Sequence, residues 1–207
     1  MSEIVLPLFP LQVVMFPTAV LPLHIFEERY RQLISDCENG DKEFGISLAQ
    51  DENVAKVGCS VVVTNIVHRY EDGKLDILVR GQRRYQLENF VESSRLYTEG
   101  RVRFLSDEDE PVDAALAEET VRLHNELIQL AYRDKQFEVE YNSSNPILSF
   151  RIAQKAGLDL AQRQALLEED SENKRLTALR EYLAEIIPKL QQLSEVERVI
   201  KSDGYII

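Results

Sequence analysis

Only two cysteines occur in the 207 residues, Cys37 and Cys59, and they form no C-x-x-C pair. So few thiols cannot build a disulfide framework, and they are expected to stand reduced in a cytoplasmic protein. Histidine is equally sparse: His24, His68 and His124 are scattered along the chain. The tight His/Cys spacings of a zinc centre are missing, so no metal is expected, and His68 and His124 are read as surface or boundary residues. No apolar run reaches the roughly 18 uninterrupted residues that a membrane span needs, and no membrane association is expected. Positive charge is also short, with 24 Lys and Arg against 36 Asp and Glu for a formal charge of −12. That balance repels phosphate backbones and disfavours sequence-independent nucleic-acid binding. Three catalytic signatures are missing as well: G-x-x-x-x-G-K-[ST], a G-x-G-x-x-G after a strand, and a G-x-S-x-G elbow. The acidic clusters read as solvated loops and helix faces. The chain is therefore expected to be no enzyme and to carry no cofactor.

What is present is ordinary globular material, 44% hydrophobic and 29% charged, in a length that suits one large domain or two modest ones. The opening stretch LPLFPLQVVMFPTAVLPLHIFEERY, Leu6 to Tyr30, carries Pro7, Pro10, Pro17 and Pro22 among strongly apolar residues. An export signal would need a positive start, an unbroken apolar run and a small-residue cleavage step. Here Glu3 precedes the run, prolines interrupt it, and no Ala-x-Ala closes it. The stretch is expected to fold, with its prolines at strand starts and edges and with Leu6, Leu8, Val13, Leu21 and Leu23 in the core.

Up to about Leu105 the pattern is of strand type. Val61 to His68 alternates, Asp72-Gly73 supplies the positive φ of a tight hairpin, and Leu75, Ile77 and Val79 line one face of the return strand. Gly81 marks a bulge or corner, Arg83 to Leu87 resumes the strand, and Leu96 to Leu105 offers another. Within this half, Tyr30, Leu33, Ile34 and Cys37 recur at helical spacing from Glu27 to Cys37, and Asn39-Gly40 ends the helix. The run Ser106-Asp107-Glu108-Asp109-Glu110-Pro111 reads as a boundary. Beyond it, helices are expected over Asp113–Tyr132, from an Asn145-Pro146 start to Gly157, and after a capping box at Asp159-Leu160-Ala161-Gln162. A last long helix has the seam Leu176, Leu179, Leu183, Ile186, Leu190, Leu193, with Pro188 expected to kink or break it. That seam could also pair with a second copy of the chain, and the oligomeric state stays open. The fold class is thus α+β: a small β-rich barrel or twisted sheet with an inserted helix over residues 1–108, then an antiparallel helical bundle over 109–207.

Arg80, Arg83 and Arg84 beside Tyr85 are the one basic cluster interleaved with an aromatic. In an RNA-binding protein such residues pair phosphates and stack bases. The competing reading places Arg83 on the outer side of a strand beside the chain's many acids.

The opening motifs Leu6-Pro7-Leu8-Phe9-Pro10-Leu11, Phe16-Pro17, Leu21-Pro22-Leu23, Ile25-Phe26-Glu27 and Arg29-Tyr30 resemble the start of the Lon protease N-terminal domain. Phe44-Gly45-Ile46, Val57-Gly58, Asp72-Gly73, Val79-Arg80-Gly81 and Arg83-Arg84-Tyr85 follow in that family's order. Leu148 to Ala153, Arg163 to Glu168 and Arg175-Leu176 are similar to its helical extension. Many members have glycines where Thr18-Ala19 stand and a proline where Glu28 stands. The resemblance implies a PUA-like β-barrel followed by a helical bundle. It further implies a stand-alone substrate-binding domain without the ATPase and protease modules. Its expected partners are unfolded or tagged protein segments and, through them, a Lon-like protease. Contact is expected where the opening stretch turns charged, with Phe26 as apolar contact and Glu27 and Arg29 as polar guides. Against this stands a purely structural use, in which Phe26 staples the helix to the barrel and Glu27 caps it. RNA binding through Arg80, Arg83 and Arg84 is the alternative function.

Overall fold

The computed structural model describes residues 4–38, 42–51, 53–132, 135–142 and 147–202, without the side chains of 135 and 194–202. The expected helix stop at Asn39-Gly40 and the expected helix start at Asn145-Pro146 lie outside the described residues. The chain divides into two compact units, one reaching Asp107 and including Asp159–Asp170, the other made of Glu108–Leu158 and the residues from Ser171 on.

The first unit holds six strands, β1 (Ile4–Leu11), β2 (Val20–Ile25), β3 (Phe44–Gln50), β4 (Asn53–Arg69), β5 (Leu75–Val91) and β6 (Glu99–Phe104), with helix α1 (Glu28–Glu38) after β2. They form one mixed sheet in the order β2-β5-β4-β3-β1-β6, in which β5 also pairs with β6. Only β1–β3 is parallel. The two long strands follow from the Asp72-Gly73 turn. Gly73 takes φ 83°, its N–H donates to the Tyr70 carbonyl, and the Tyr70 N–H donates to Lys74. β1 accommodates two prolines because its halves pair on different sides. Ile4 to Pro7 matches β6, while Leu8 to Leu11 matches β3. A proline in each half can thus turn its missing donor to an unpaired side.

The core is the one the alternation points to in part. Leu6, Leu8, Tyr85, Leu87 and Val102 cluster, and α1 buries Tyr30, Leu33, Ile34 and Cys37 as expected. Val13, Leu21 and Leu23, expected inside, are only half-buried, while Val14, Met15 and Phe16 are buried instead. β2 stands at the end of the sheet order and is covered less fully than an inner strand. Burial pushes the Cys37 thiol up to about 11 and the Cys59 thiol up to about 12. Neither is an activated nucleophile at neutral pH.

Thr18 holds φ 64°, a conformation that a β-branched side chain rarely adopts. Its N–H donates to the Gly81 carbonyl at 3.0 Å, and the Ala19 N–H donates to Phe16 at 3.2 Å, which fixes the bend. Thr18→Gly is expected to raise unfolding stability by roughly 0.5–1 kcal/mol, because the left-handed penalty exceeds the extra entropy glycine gains in the unfolded chain. Denaturant titration of both proteins measures this; a lower midpoint for the glycine variant would refute it.

The second unit holds α2 (Ala114–Ala131), a 3₁₀ turn at Lys135–Phe137, α3 (Leu148–Ala153) and α5 (Glu172–Ser202). Between α3 and α5 in the chain, α4 (Leu160–Glu168) belongs to the strand-bearing unit and opens on the expected Asp159/Gln162 capping box. Asp113 caps α2 by accepting from the Leu116 N–H. Three expectations change here. First, α3 ends at Ala153 rather than Gly157, which takes φ 79°. Second, of the kink or break expected at Pro188, no break occurs, since α5 continues past it. Pro188 and Ala184, whose carbonyl loses its helical donor, are both exposed, so water can replace the bond. Third, His124 is buried rather than at the surface. It shares the α2 stripe with Thr120, Leu127 and Ile128, its Nε2 meets the Phe137 carbonyl at 3.2 Å, and burial lowers its pKa. No helix among the described residues is long and apolar enough to cross a membrane.

Candidate functional site

The first half of β5 lies between β2 and the distal half of β4, and this three-strand region has two unlike faces. Leu75, Ile77 and Val79 are buried, and the alternate residues Asp76, Leu78 and Arg80 point the other way. Register partners share a face. Three transverse rows result: Val20–Arg80–Val62, Pro22–Leu78–Asn65 and His24–Asp76–His68. Register shifts in β4 between Val63 and Asn65, and between Ile66 and His68, keep its residues in those rows. Val20 is 58% exposed, and the face as a whole is exposed or half-buried.

The third row is a bonded cluster. Nδ1 of His24 pairs with Asp76 Oδ1 at 2.6 Å, and the Tyr70 hydroxyl donates to Asp76 Oδ2 at 2.7 Å. The bonds from His24 and Tyr70 hold the Asp76 carboxyl below its usual range, and the bond to Asp76 raises the Tyr70 hydroxyl. The His68 ring meets Tyr70 edge-on with centroids 4.3 Å apart, while His24 stacks near Phe26 at 6.1 Å. Two of the three histidines, treated as isolated in the sequence, therefore flank one carboxylate. Half of this was legible: counting back from the Asp72-Gly73 turn sets His68 opposite Asp76. The pairing of β2 with β5 that brings His24 joins segments about fifty residues apart, and no local pattern announces it.

Of the residues picked from the sequence, Phe26 is 58% exposed at the entrance to α1. That is not the position of a staple buried against the sheet. The Glu27 carbonyl accepts from the Tyr30 and Arg31 N–H groups, whereas its carboxylate pairs with Arg29 at 2.8 Å. The Arg29 guanidinium also lies 4.5 Å over the Tyr30 ring. Phe26 thus stands beside His24 of the third row, and the Glu27–Arg29 pair follows it at the start of α1. The three arginines scatter in role. Arg80 is exposed on the face, and Arg83 pairs with Glu43 at 2.8 Å and lies 3.6 Å over Phe104. Arg84 is buried, donating to the carbonyls of Leu167 and Glu169 and to Asp107. Sequence reasoning grouped them because they are adjacent, but strand alternation and the bulge at Gly81 send them to different surroundings.

A groove of about 870 Å³ runs between the C-terminal end of α1 and β4, lined in part by Cys37, Lys42, Val62 and Asn65. Glu38 and Arg69 on its wall pair with each other at 2.5 Å. With its thiol pushed up, Cys37 supplies neither base nor nucleophile there. Among the described residues, no group of three or more His, Cys, Asp or Glu side chains is arranged to hold a metal ion.

Residues 5–185 match the family described as the ATP-dependent protease La (LON) substrate-binding domain. Curated relatives include the Lon protease of Cytophaga hutchinsonii, 25% identical over 95% of this chain and 25% of its own length. Another is the Lon protease of Geobacter metallireducens, 28% identical over 86% of this chain and 24% of its own length. The chain therefore spans about a quarter of the length of these relatives. Among solved structures, a Lon N-terminal domain protein from Xanthomonas campestris superposes with TM-score 0.68 at 28% identity, covering 85% of this chain and 96% of that one. The N-terminal domain of Mycobacterium avium complex Lon protease shares the fold with TM-score 0.67 at 17% identity, over 87% and 98% of the two chains. With the match extending through the strands and into α5, this chain belongs to the Lon substrate-binding domain family and has its α+β fold.

Proposed function

We propose that this chain is a non-enzymatic recognition module that binds unfolded or tagged protein segments in the cytoplasm, in partnership with a Lon-type protease. Family membership supports the class of function, and one observation supports the place: the open face of β2, β5 and β4, which ends at the exposed Phe26. Exposed apolar and aromatic area with polar edges gains affinity by burying client side chains. Phe26 supplies the contact, and the Glu27–Arg29 pair forms the polar edge beside it. In the same reading, the circular pairing of β4, β5, β6, β1 and β3 is a PUA-like barrel, and α2, α3 and α5 form the bundle after it. The buried free thiols Cys37 and Cys59 suit a reducing compartment. RNA gains no comparable support, since Arg84 is buried against backbone carbonyls and Asp107 and Arg83 is engaged with Glu43 and Phe104.

Phe26→Ala tests the site. The variant is expected to keep its unfolding midpoint, because Phe26 is exposed, yet to bind a fluorescent unfolded-protein segment about tenfold more weakly. Unchanged affinity by anisotropy titration would remove this face from the function.

A further inference from the structure

In the row His24–Asp76–His68, a carboxylate that solvent can reach accepts two bonds, from His24 and Tyr70, whose rings in turn lie against Phe26 and His68. The His24 and Asp76 side chains are 51% and 34% exposed. The rings lie at several angles, His24 to Tyr70 at 80° and 5.8 Å, and His68 to Tyr70 at 71° and 4.3 Å. A carboxylate bordered by aromatic rings attracts an organic cation twice, by charge and by the quadrupole of the rings. Of the basic side chains around the row, Lys74 pairs with Asp72 at 2.6 Å, Arg29 with Glu27 at 2.8 Å and Arg69 with Glu38 at 2.5 Å, while Asp76 keeps His24 and Tyr70 as its own partners. The chain as a whole carries −12, so an approaching cation meets a favourable field.

The strand edges beside this face are poor templates for adding another strand. β2 has Pro22 at its centre, and the distal half of β4 is interrupted by the two register shifts. Proline and bulges are the devices that blunt an edge, which leaves the side-chain face as the binding surface.

We propose that this cluster holds a lysine or arginine side chain of a bound client segment, with the neighbouring apolar residues of that segment lying over Pro22, Leu78 and Val20. The assignment rests on the client-binding reading above and adds the charge that the client must carry. Short unstructured apolar peptides differing at one position (Lys, Arg, norleucine or Glu) would be titrated against the full chain by anisotropy. The Lys and Arg peptides are expected to bind about tenfold more tightly than the norleucine peptide, with the Glu peptide weakest. Asp76→Asn, with an unchanged unfolding midpoint, is expected to bring Lys and norleucine within about twofold, whereas general attraction to an acidic chain would survive that substitution. Equal binding of the Lys and norleucine peptides, or a preference that persists in the Asn variant, overturns this proposal and leaves client binding standing. No binding by any of the four overturns both.

Discussion

Arg175→Met is expected to destabilise the protein by about 3–5 kcal/mol, the cost of leaving a buried charge without its partner. Arg175 is 0% exposed, and its Nη2 lies 2.6 Å from Glu172 Oε2. Its Nε donates to Ser149 Oγ at 2.8 Å, and the guanidinium stands 4.3 Å over the Phe150 ring. Glu172 in turn accepts from the Ser149 N–H at 2.8 Å and from its hydroxyl at 2.6 Å. The network ties the start of α5 to the start of α3, and every member depends on the guanidinium to balance the carboxylate. Thermal denaturation followed by circular dichroism should show a midpoint drop on the order of 10 °C. The companion measurement is a double-mutant cycle with Glu172→Gln, which keeps an acceptor for Ser149 while removing the charge. Arg175→Met should cost clearly less in that background. If it costs the same, packing against Phe150 rather than charge pairing carries the effect.

Gly81→Ala is the second large effect, and its origin is purely steric. A Cβ at Gly81 would stand 2.1 Å from the Phe16 carbonyl oxygen and 3.3 Å from Cys59 Sγ. The neighbouring backbone cannot move aside freely, because the Gly81 N–H donates to Ala19 and the Gly81 carbonyl accepts from Thr18. A clash with main chain has no rotamer to relieve it, so a loss of about 3 kcal/mol or more is expected, at the upper end of overpacking penalties. Gly73→Ala makes the control: its φ of 83° carries a penalty, but its nearest neighbour is the end of the flexible Arg31 side chain at 2.7 Å. Urea midpoints should therefore fall much further for Gly81→Ala than for Gly73→Ala, and the reverse order would remove the steric account.

These two sites show which kinds of signal the sequence carries. The Asp72-Gly73 hairpin, the α1 stripe and the Asp159/Gln162 capping box involve residues within a turn or two of each other, and the structure has all three. Gly81 was legible as an interruption, though not as the point where the Phe16 to Ala19 segment crosses β5. His124 could not be placed by periodicity alone, since the buried stripe of α2 is set by what packs on it, and the stripe lies toward Ala117, His124 and Ile128. Arg84 reads as one of a basic cluster of three arginines until α4 and Asp107 are brought to it.

The departure at Thr18 joins the two levels. The threonine takes a left-handed conformation, which glycine would adopt without strain, because Gly81 and Phe16 hold the backbone there.

Whereas the exposure of Phe26 came from the structure, the amino-acid sequence by itself determined the family, the strand-rich first part and the helical remainder. These are written in alternation, turn residues and caps, all of them interactions between near neighbours. Only the tertiary structure decided that His24 joins the hairpin's His68 and Tyr70 at Asp76, that Arg84 and Arg175 are interior, and that α4 belongs with the strands. Each of those depends on contacts between residues distant in the chain, whose energies come from burial and pairing across strands and helices that no short window contains.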